Sequence, residues 1–200
     1  MNNIYRLIIF LPFLILGCAP NVIKENNVIQ KIDSLDMKIY SKDGDKIYHE
    51  LSFIDNEIAA IAKENGCGTH IDGARIFNAA IATGVDVARM CQHYDSVSIC
   101  FSKGLGAPVG SVLVGSSAFI AKAHRWRKLF GGGWRQAGLL ASACLHALDH
   151  HVERLEEDHL RAKRIAAMLN DLPEFTVGLA TVQTNMVYAT TSRPASEVVE

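Results

Sequence analysis

The segment Ser102-Lys-Gly-Leu-Gly-Ala-Pro-Val-Gly-Ser111 confines the fold of this 200-residue chain more than any other stretch. Its three glycines and one proline stop it from continuing either a strand or a helix. On one side lies the apolar run Asp95-Ser-Val-Ser-Ile-Cys-Phe101, and on the other Gly110-Ser-Val-Leu-Val-Gly115. Each has the length and β-branched content of a buried strand. Lys103 is therefore expected at the mouth of a strand, not on a solvated helix face. Upstream, Thr69-His-Ile-Asp-Gly-Ala-Arg75 offers another short strand, ending in a carboxylate and an arginine.

Helical patterns separate these strands. Apolar residues recur at helical spacing over Ile54–Asn65, with Gly66 as the C-cap, and a short strand is predicted over Cys67–Ile71. A helix is expected from Ala74 to Thr83, closed by Gly84, and another turn or two over Asp86–His93. Ser116 opens a helix that runs to Leu129 and breaks at Gly131-Gly-Gly133. A long helical region follows from Arg135 to Leu172, bent near His150 and ended by Pro173. Helices alternating with short apolar strands indicate an α/β fold with a mostly parallel sheet. The expected divisions are 1–18, 19–52, 53–172 and 173–200, the last being the start of a small C-terminal domain.

The net charge of −1, with acids and bases interspersed, gives no footprint for nucleic acid. The five cysteines show no paired spacing and lie mostly in apolar runs, which reads as buried free thiols. The N-terminus points elsewhere. A weakly positive start, the apolar run Leu7–Leu16 and Gly17-Cys18 together resemble a bacterial lipoprotein signal in which Cys18 is lipidated, giving membrane anchorage. A buried strand or helix is the alternative. Residues 19–52 are polar, with Ser41-Lys-Asp-Gly-Asp45 reading as a hairpin turn. The leader suggests the membrane and the thiol-rich remainder the cytoplasm.

A lysine, a carboxylate and an arginine at strand ends are the parts a pyridoxal phosphate enzyme needs. Lys103 can hold the cofactor's aldehyde, Asp72 can keep the pyridine nitrogen protonated, and Arg75 can take a substrate carboxylate. Each has a plainer alternative: a loop lysine, a helix N-cap at Asp72 and a salt bridge in the first helical turn at Arg75. His70 shares a strand face with Asp72 and reads either as a site hydrogen-bonder or as a satisfied core histidine. His146, His150 and His151 lack a completing carboxylate or cysteine, so no metal is expected, and they read as surface or subunit-contact residues.

Three ordered motifs resemble the low-specificity L-threonine aldolases, in the β-eliminating lyase branch of the fold-type I pyridoxal phosphate enzymes. They are His70-Ile-Asp-Gly-Ala-Arg-Ile-Phe-Asn-Ala79, Ser96–Ser111 and Arg125-Trp-Arg-Lys-Leu-Phe-Gly-Gly-Gly-Trp-Arg-Gln136, and the similarity runs from about Phe53 onward. The resemblance implies that Lys103 is the Schiff-base lysine, Asp72 the pyridine partner and Arg75 a substrate carboxylate binder. It places Arg135 and Lys128 near the cofactor phosphate, Lys128 being equally readable as a solvated residue. The implied reaction is retro-aldol cleavage of threonine or allo-threonine to glycine and acetaldehyde, in a homo-oligomer. It also implies that the phosphate loop, a stacking imidazole and a later arginine are missing here, so impaired activity is expected.

Overall fold

The computed structural model describes residues 6–8, 14–17, 57–194 and 197, and the expected hairpin around Ser41–Asp45 lies outside them. Helix α1 (57–64) ends at Gly66, whose φ of +62° is the left-handed conformation a C-cap glycine supplies. Strand β3 (Gly68–Gly73) leads to α2 (Ile76–Thr83), capped by Gly84 at φ 69°, and then to α3 (Val87–Cys91). Asp86 starts α3 by accepting from the Ala88 N–H. Strands β4 (Ser96–Cys100) and β5 (Ser111–Gly115) flank the lysine loop. The Ser116 hydroxyl then caps α4 (Ser117–Leu129) by accepting from Phe119 N–H.

The order of the main sheet is β1 (Arg6–Ile8), β2 (Leu14–Gly17), β3, β4, β5. It is mixed, not mostly parallel. Only β3 and β4 run parallel; the pairings β1–β2, β2–β3 and β4–β5 are antiparallel. Connection length explains this. The segment between β3 and β4 holds two helices, enough for a crossover, whereas the loop from β4 to β5 is too short to return to the start of the sheet. The two N-terminal strands fall within the run expected to be a leader, so these residues form part of the sheet. Cys18 lies outside the described residues. No described helix is long and apolar enough to cross a membrane.

The region from Arg135 to Leu172 forms two helices, α5 (Gly138–His150) and α6 (Leu155–Asn170), where one bent helix was expected. Between them the chain turns tightly, with Leu155 N–H bonded to Val152 O, and this drops Leu155 into the core at 1% exposure. Beyond α6, β6 (Phe175–Val177) and β7 (Ala189–Thr191) make a separate antiparallel pair. Val177 and Val182 pack there against Ala162 and Ala166 of α6.

The two parallel strands are clamped where they begin. Asp95 accepts from the Thr69 N–H at 2.8 Å and from its hydroxyl, while the Asp95 N–H donates back to Thr69 Oγ1. Ile71 and Val97 then face Ile76, Phe77, Val87 and Met90 on one side of the sheet. Gly73 is required by close approach: an added Cβ would lie 2.8 Å from Ser98 O and 3.1 Å from Val97 Cγ1. Backbone on the neighbouring strand cannot swing aside, so Gly73→Ala is expected to cost about 1–3 kcal/mol. Urea unfolding measures this, and an unchanged midpoint would refute the tight approach.

The cysteines divide. Cys91, Cys100 and Cys144 form no disulfide, as expected, but they are half-buried and not buried, and Cys67 is disulfide-bonded.

Candidate active site

Parallel pairing decides which side chains share a face. His70 lies opposite Ser96 and Asp72 opposite Ser98, so these four polar residues point to the same side of the sheet. The apolar residues between them point to the opposite side. His70 is held by both hydroxyls, with Nδ1 2.8 Å from Ser96 Oγ and Nε2 3.3 Å from Ser98 Oγ. It is half-buried and satisfied, which agrees with the core-histidine alternative and explains why β4 carries serines at alternate positions. Asp72 is exposed at the carboxyl end of β3, and its Oδ1 accepts from the Ala74 N–H at 3.2 Å. That bond turns the chain toward α2 without making Asp72 the formal cap, which is Arg75 with no side-chain cap bond.

Lys103 follows the last residue of β4 by three positions and is exposed. Asp72 and Lys103 thus leave the same end of adjacent parallel strands, where ligands of open α/β sheets bind. The lysine loop is a built structure. Phe101 N–H bonds to Gly110 O, Ala107 N–H to Phe101 O, and Gly106 N–H to Lys103 O at 2.9 Å. Phe101, Leu105 and Ala107 anchor it in a core with Ala147 and Leu155. Gly106 takes φ +69°, and Gly104 packs so closely that an added Cβ would sit 2.8 Å from Leu155 Cδ2.

Arg75 stands three residues past Asp72, and its Nε is buried with no hydrogen-bond partner. An unsatisfied buried guanidinium N–H costs about 1–3 kcal/mol, and an incoming carboxylate would recover it. No ion pair of Arg75 occurs among the described residues, so the salt-bridge alternative is not realised. Lys128 lies in the last turn of α4 and Arg135 in the connection before α5; both are exposed. No hydrogen bond or ion pair among the described residues joins either to Asp72, Arg75 or Lys103. Asp72, Arg75 and Lys103 thus lie at or just past the same end of adjacent parallel strands, while Lys128 and Arg135 lie further along the chain, after β5.

His146 clusters with His150 and His151, with ring centroids 4.5 and 5.3 Å apart. No group of three or more His, Cys, Asp or Glu among the described residues is arranged to hold a metal. His146 and His150 are exposed, but His151 is half-buried and donates from Nδ1 to Leu105 O at 2.6 Å, so it is not a plain surface residue.

Sequence reasoning also missed the buried pair Asn78–His159, in which Nδ2 and Nε2 lie 3.1 Å apart. A polar residue amid the apolar positions of α2 was the available signal. Burial first, and then the Lys163 ammonium, push the His159 pKa below its ordinary value of 6.5, while Asp158 and Glu156 pull it up. Folded His159 therefore binds its proton more weakly than the unfolded chain does. Its contribution to stability is full above pH 6.5 and is lost as pH falls through the lowered folded value. Urea midpoints should drop between pH 7.5 and 5.5, and less steeply in His159→Gln. Equal slopes in the two proteins would contradict this.

A family model of beta-eliminating lyases matches residues 53–192. The chain is 52% identical over 138 residues to a probable low-specificity L-threonine aldolase 2 of Arabidopsis thaliana, covering 69% of this chain and 39% of that protein. It is 48% identical over 126 residues to the low specificity L-threonine aldolase of Escherichia coli K12, covering 63% and 37% respectively. The chain thus spans well under half the length of these relatives. Among solved structures it is similar to a putative aromatic amino acid beta-eliminating lyase/threonine aldolase from Exiguobacterium sp. 255-15, with a TM-score of 0.65 at 27% identity. That likeness covers 76% of this chain and 42% of the other, and the α/β domain is consistent with part of a fold-type I pyridoxal phosphate transferase-like fold. With 53–192 matched as one continuous region, the chain belongs to the beta-eliminating lyase family.

Proposed function

We propose that this chain carries the amine and carboxylate of a pyridoxal phosphate site, and that the protein cleaves β-hydroxy amino acids such as threonine and allo-threonine to glycine and acetaldehyde. The observation that carries the reading is the delivery of Asp72 and Lys103 to one end of adjacent parallel strands. The unpartnered Arg75 Nε, three residues along the chain from Asp72, supports it. When bound, the cofactor supplies a protonated ring that takes up the electron pair released as Cα–Cβ breaks. Lys103 holds it covalently through the side-chain amine. Asp72 keeps the proton on the ring nitrogen, and its contact with Ala74 fixes the carboxylate's direction. Arg75 offers its guanidinium to the substrate carboxylate, while Lys128 and Arg135 are assigned to the phosphate. Assembly with a second copy belongs to the same proposal, supported by Phe130 and Leu139, each 83% exposed.

Cofactor capture suits a chain that spans 39% of a relative better than turnover does as a test. Purified chain is mixed with pyridoxal phosphate, reduced with borohydride and mapped by peptide mass, with acetaldehyde release from threonine measured in parallel. A single adduct on Lys103 is expected. An adduct spread over surface lysines would remove the basis for the reading.

A further inference from the structure

The face of α5 that meets the lysine loop repeats at helical spacing and carries two donors. Cys144, Ala147, Leu148 and His151 are separated by three, one and three positions, so they form one stripe. Ala147 is 1% exposed against Phe101, Leu105 and Ala107, with Cys144 and Leu148 packed around them. The two ends of the stripe reach loop carbonyls: Cys144 Sγ lies 3.4 Å from Val109 O, and His151 Nδ1 lies 2.6 Å from Leu105 O. Leu105 is a central residue of the turn closed by Gly106 N–H on Lys103 O. A carbonyl only accepts, so Nδ1 of His151 carries the proton and donates.

We propose that His151 is a positioning residue for Lys103: by gripping the Leu105 carbonyl it fixes the Lys103–Gly106 turn and so the direction in which the amine leaves the sheet. This inference rests on Lys103 being the cofactor amine. The apolar anchors alone do not supply it. Leu105 holds the turn's depth, and the Gly106 N–H bond to Lys103 O holds one end of the Leu105–Gly106 peptide plane, but its carbonyl end can still tilt and carry the lysine backbone with it. The hydrogen bond removes that freedom. A further consequence is that His151 can be exchanged for a residue that keeps a donor at the same distance from the backbone; asparagine, whose amide nitrogen occupies nearly the place of Nδ1, is such a residue.

Three measurements on the full chain decide it. Nitrogen NMR of the histidine rings at pH 8 should show His151 as the Nδ1–H tautomer; the Nε2–H tautomer would overturn the proposal without any variant. Amide exchange at Gly106 and Ala107 should rise about tenfold in His151→Ala, the scale of one lost hydrogen bond, and stay within about twofold of wild type in His151→Asn. Borohydride-trapped pyridoxal phosphate on Lys103 should form about tenfold more slowly in His151→Ala and recover in His151→Asn but not in His151→Leu, which fills the space without a donor. Unchanged exchange and trapping in the alanine variant, or no recovery in the asparagine variant, would defeat it. Failure of wild type to trap the cofactor at Lys103 would instead defeat the cofactor reading, while tautomer and exchange still report on the grip.

Discussion

Replacing Lys103 with alanine is expected to abolish covalent capture of pyridoxal phosphate and to lower any threonine cleavage by at least about a thousandfold, the scale set by removing a group that works at the reacting atoms. The side chain is exposed and makes none of the loop's bonds, which run through backbone groups of Phe101, Lys103 and Gly106 and the apolar anchors Leu105 and Ala107. Its truncation should therefore leave the fold intact, with the urea midpoint within about 0.5 kcal/mol of wild type. Lys103→Arg separates charge from chemistry. The guanidinium keeps the positive charge but stays protonated and offers no nucleophilic amine, so it should fail as completely as alanine. Asp72→Asn tests the partner. An asparagine oxygen can still accept from Ala74 N–H, so the turn survives while the negative charge on the ring nitrogen is lost. Capture at Lys103 should persist there, and cleavage should fall. Normal borohydride trapping at other lysines in Lys103→Ala, with undiminished acetaldehyde, would sink the assignment.

Local signals set element ends well, and nonlocal packing is where they give out. Asp86, Ser116, Gly66 and Gly84 each announce a helix end through a side chain or backbone conformation that acts within four residues, and all four do so in the structure. The placement of Asp72, Arg75 and Lys103 at or just past strand ends is readable for a similar reason: strand ends flanked by glycine are visible in one dimension. Strand direction was not. Whether β4 runs with or against its neighbours depends on how far each connection must travel, and apolar alternation carries no such information. The bend expected near His150 is a full break between α5 and α6, and its completeness was hidden because Leu155 turns inward to meet Gly104, a residue far away in sequence. His151 shows the same limit. Its neighbours His146 and His150 invited a metal or surface reading, and only the packing of α5 on the lysine loop gives it a partner. The serines that hold His70 could have been found, since His-x-Asp and Ser-x-Ser alternate with the period of a strand.

The contact between Leu155 and Gly104 gives the largest stability effect expected in this chain. Leu155 is 1% exposed, packs with Phe101, Leu105, Ala107 and Ala147, and lies directly beneath the residue that follows the lysine. Leu155→Ala should cost about 2–5 kcal/mol, from lost transfer free energy and the cavity left behind. For a domain of this size that lowers Tm by about 2–4 °C per kcal/mol. Gly104→Ala errs in the opposite direction. Its new methyl would sit 2.8 Å from Leu155 Cδ2 and 3.4 Å from Asn78 Oδ1, and overpacking of this kind costs about 1–3 kcal/mol. The two defects meet at one place, so they should compensate. In the double variant the methyl at 104 enters the space vacated at 155, and the combined loss should fall short of the sum by about 0.5–3 kcal/mol. Urea unfolding of the four proteins in the cycle measures the shortfall. Strict additivity would mean that Gly104 and Leu155 do not touch, and the lysine loop would then lack the floor on which its geometry depends. Capture of pyridoxal phosphate by the folded fraction follows the same cycle: the loss in Leu155→Ala should be partly restored by adding Gly104→Ala, because the restored contact again supports the turn that carries Lys103.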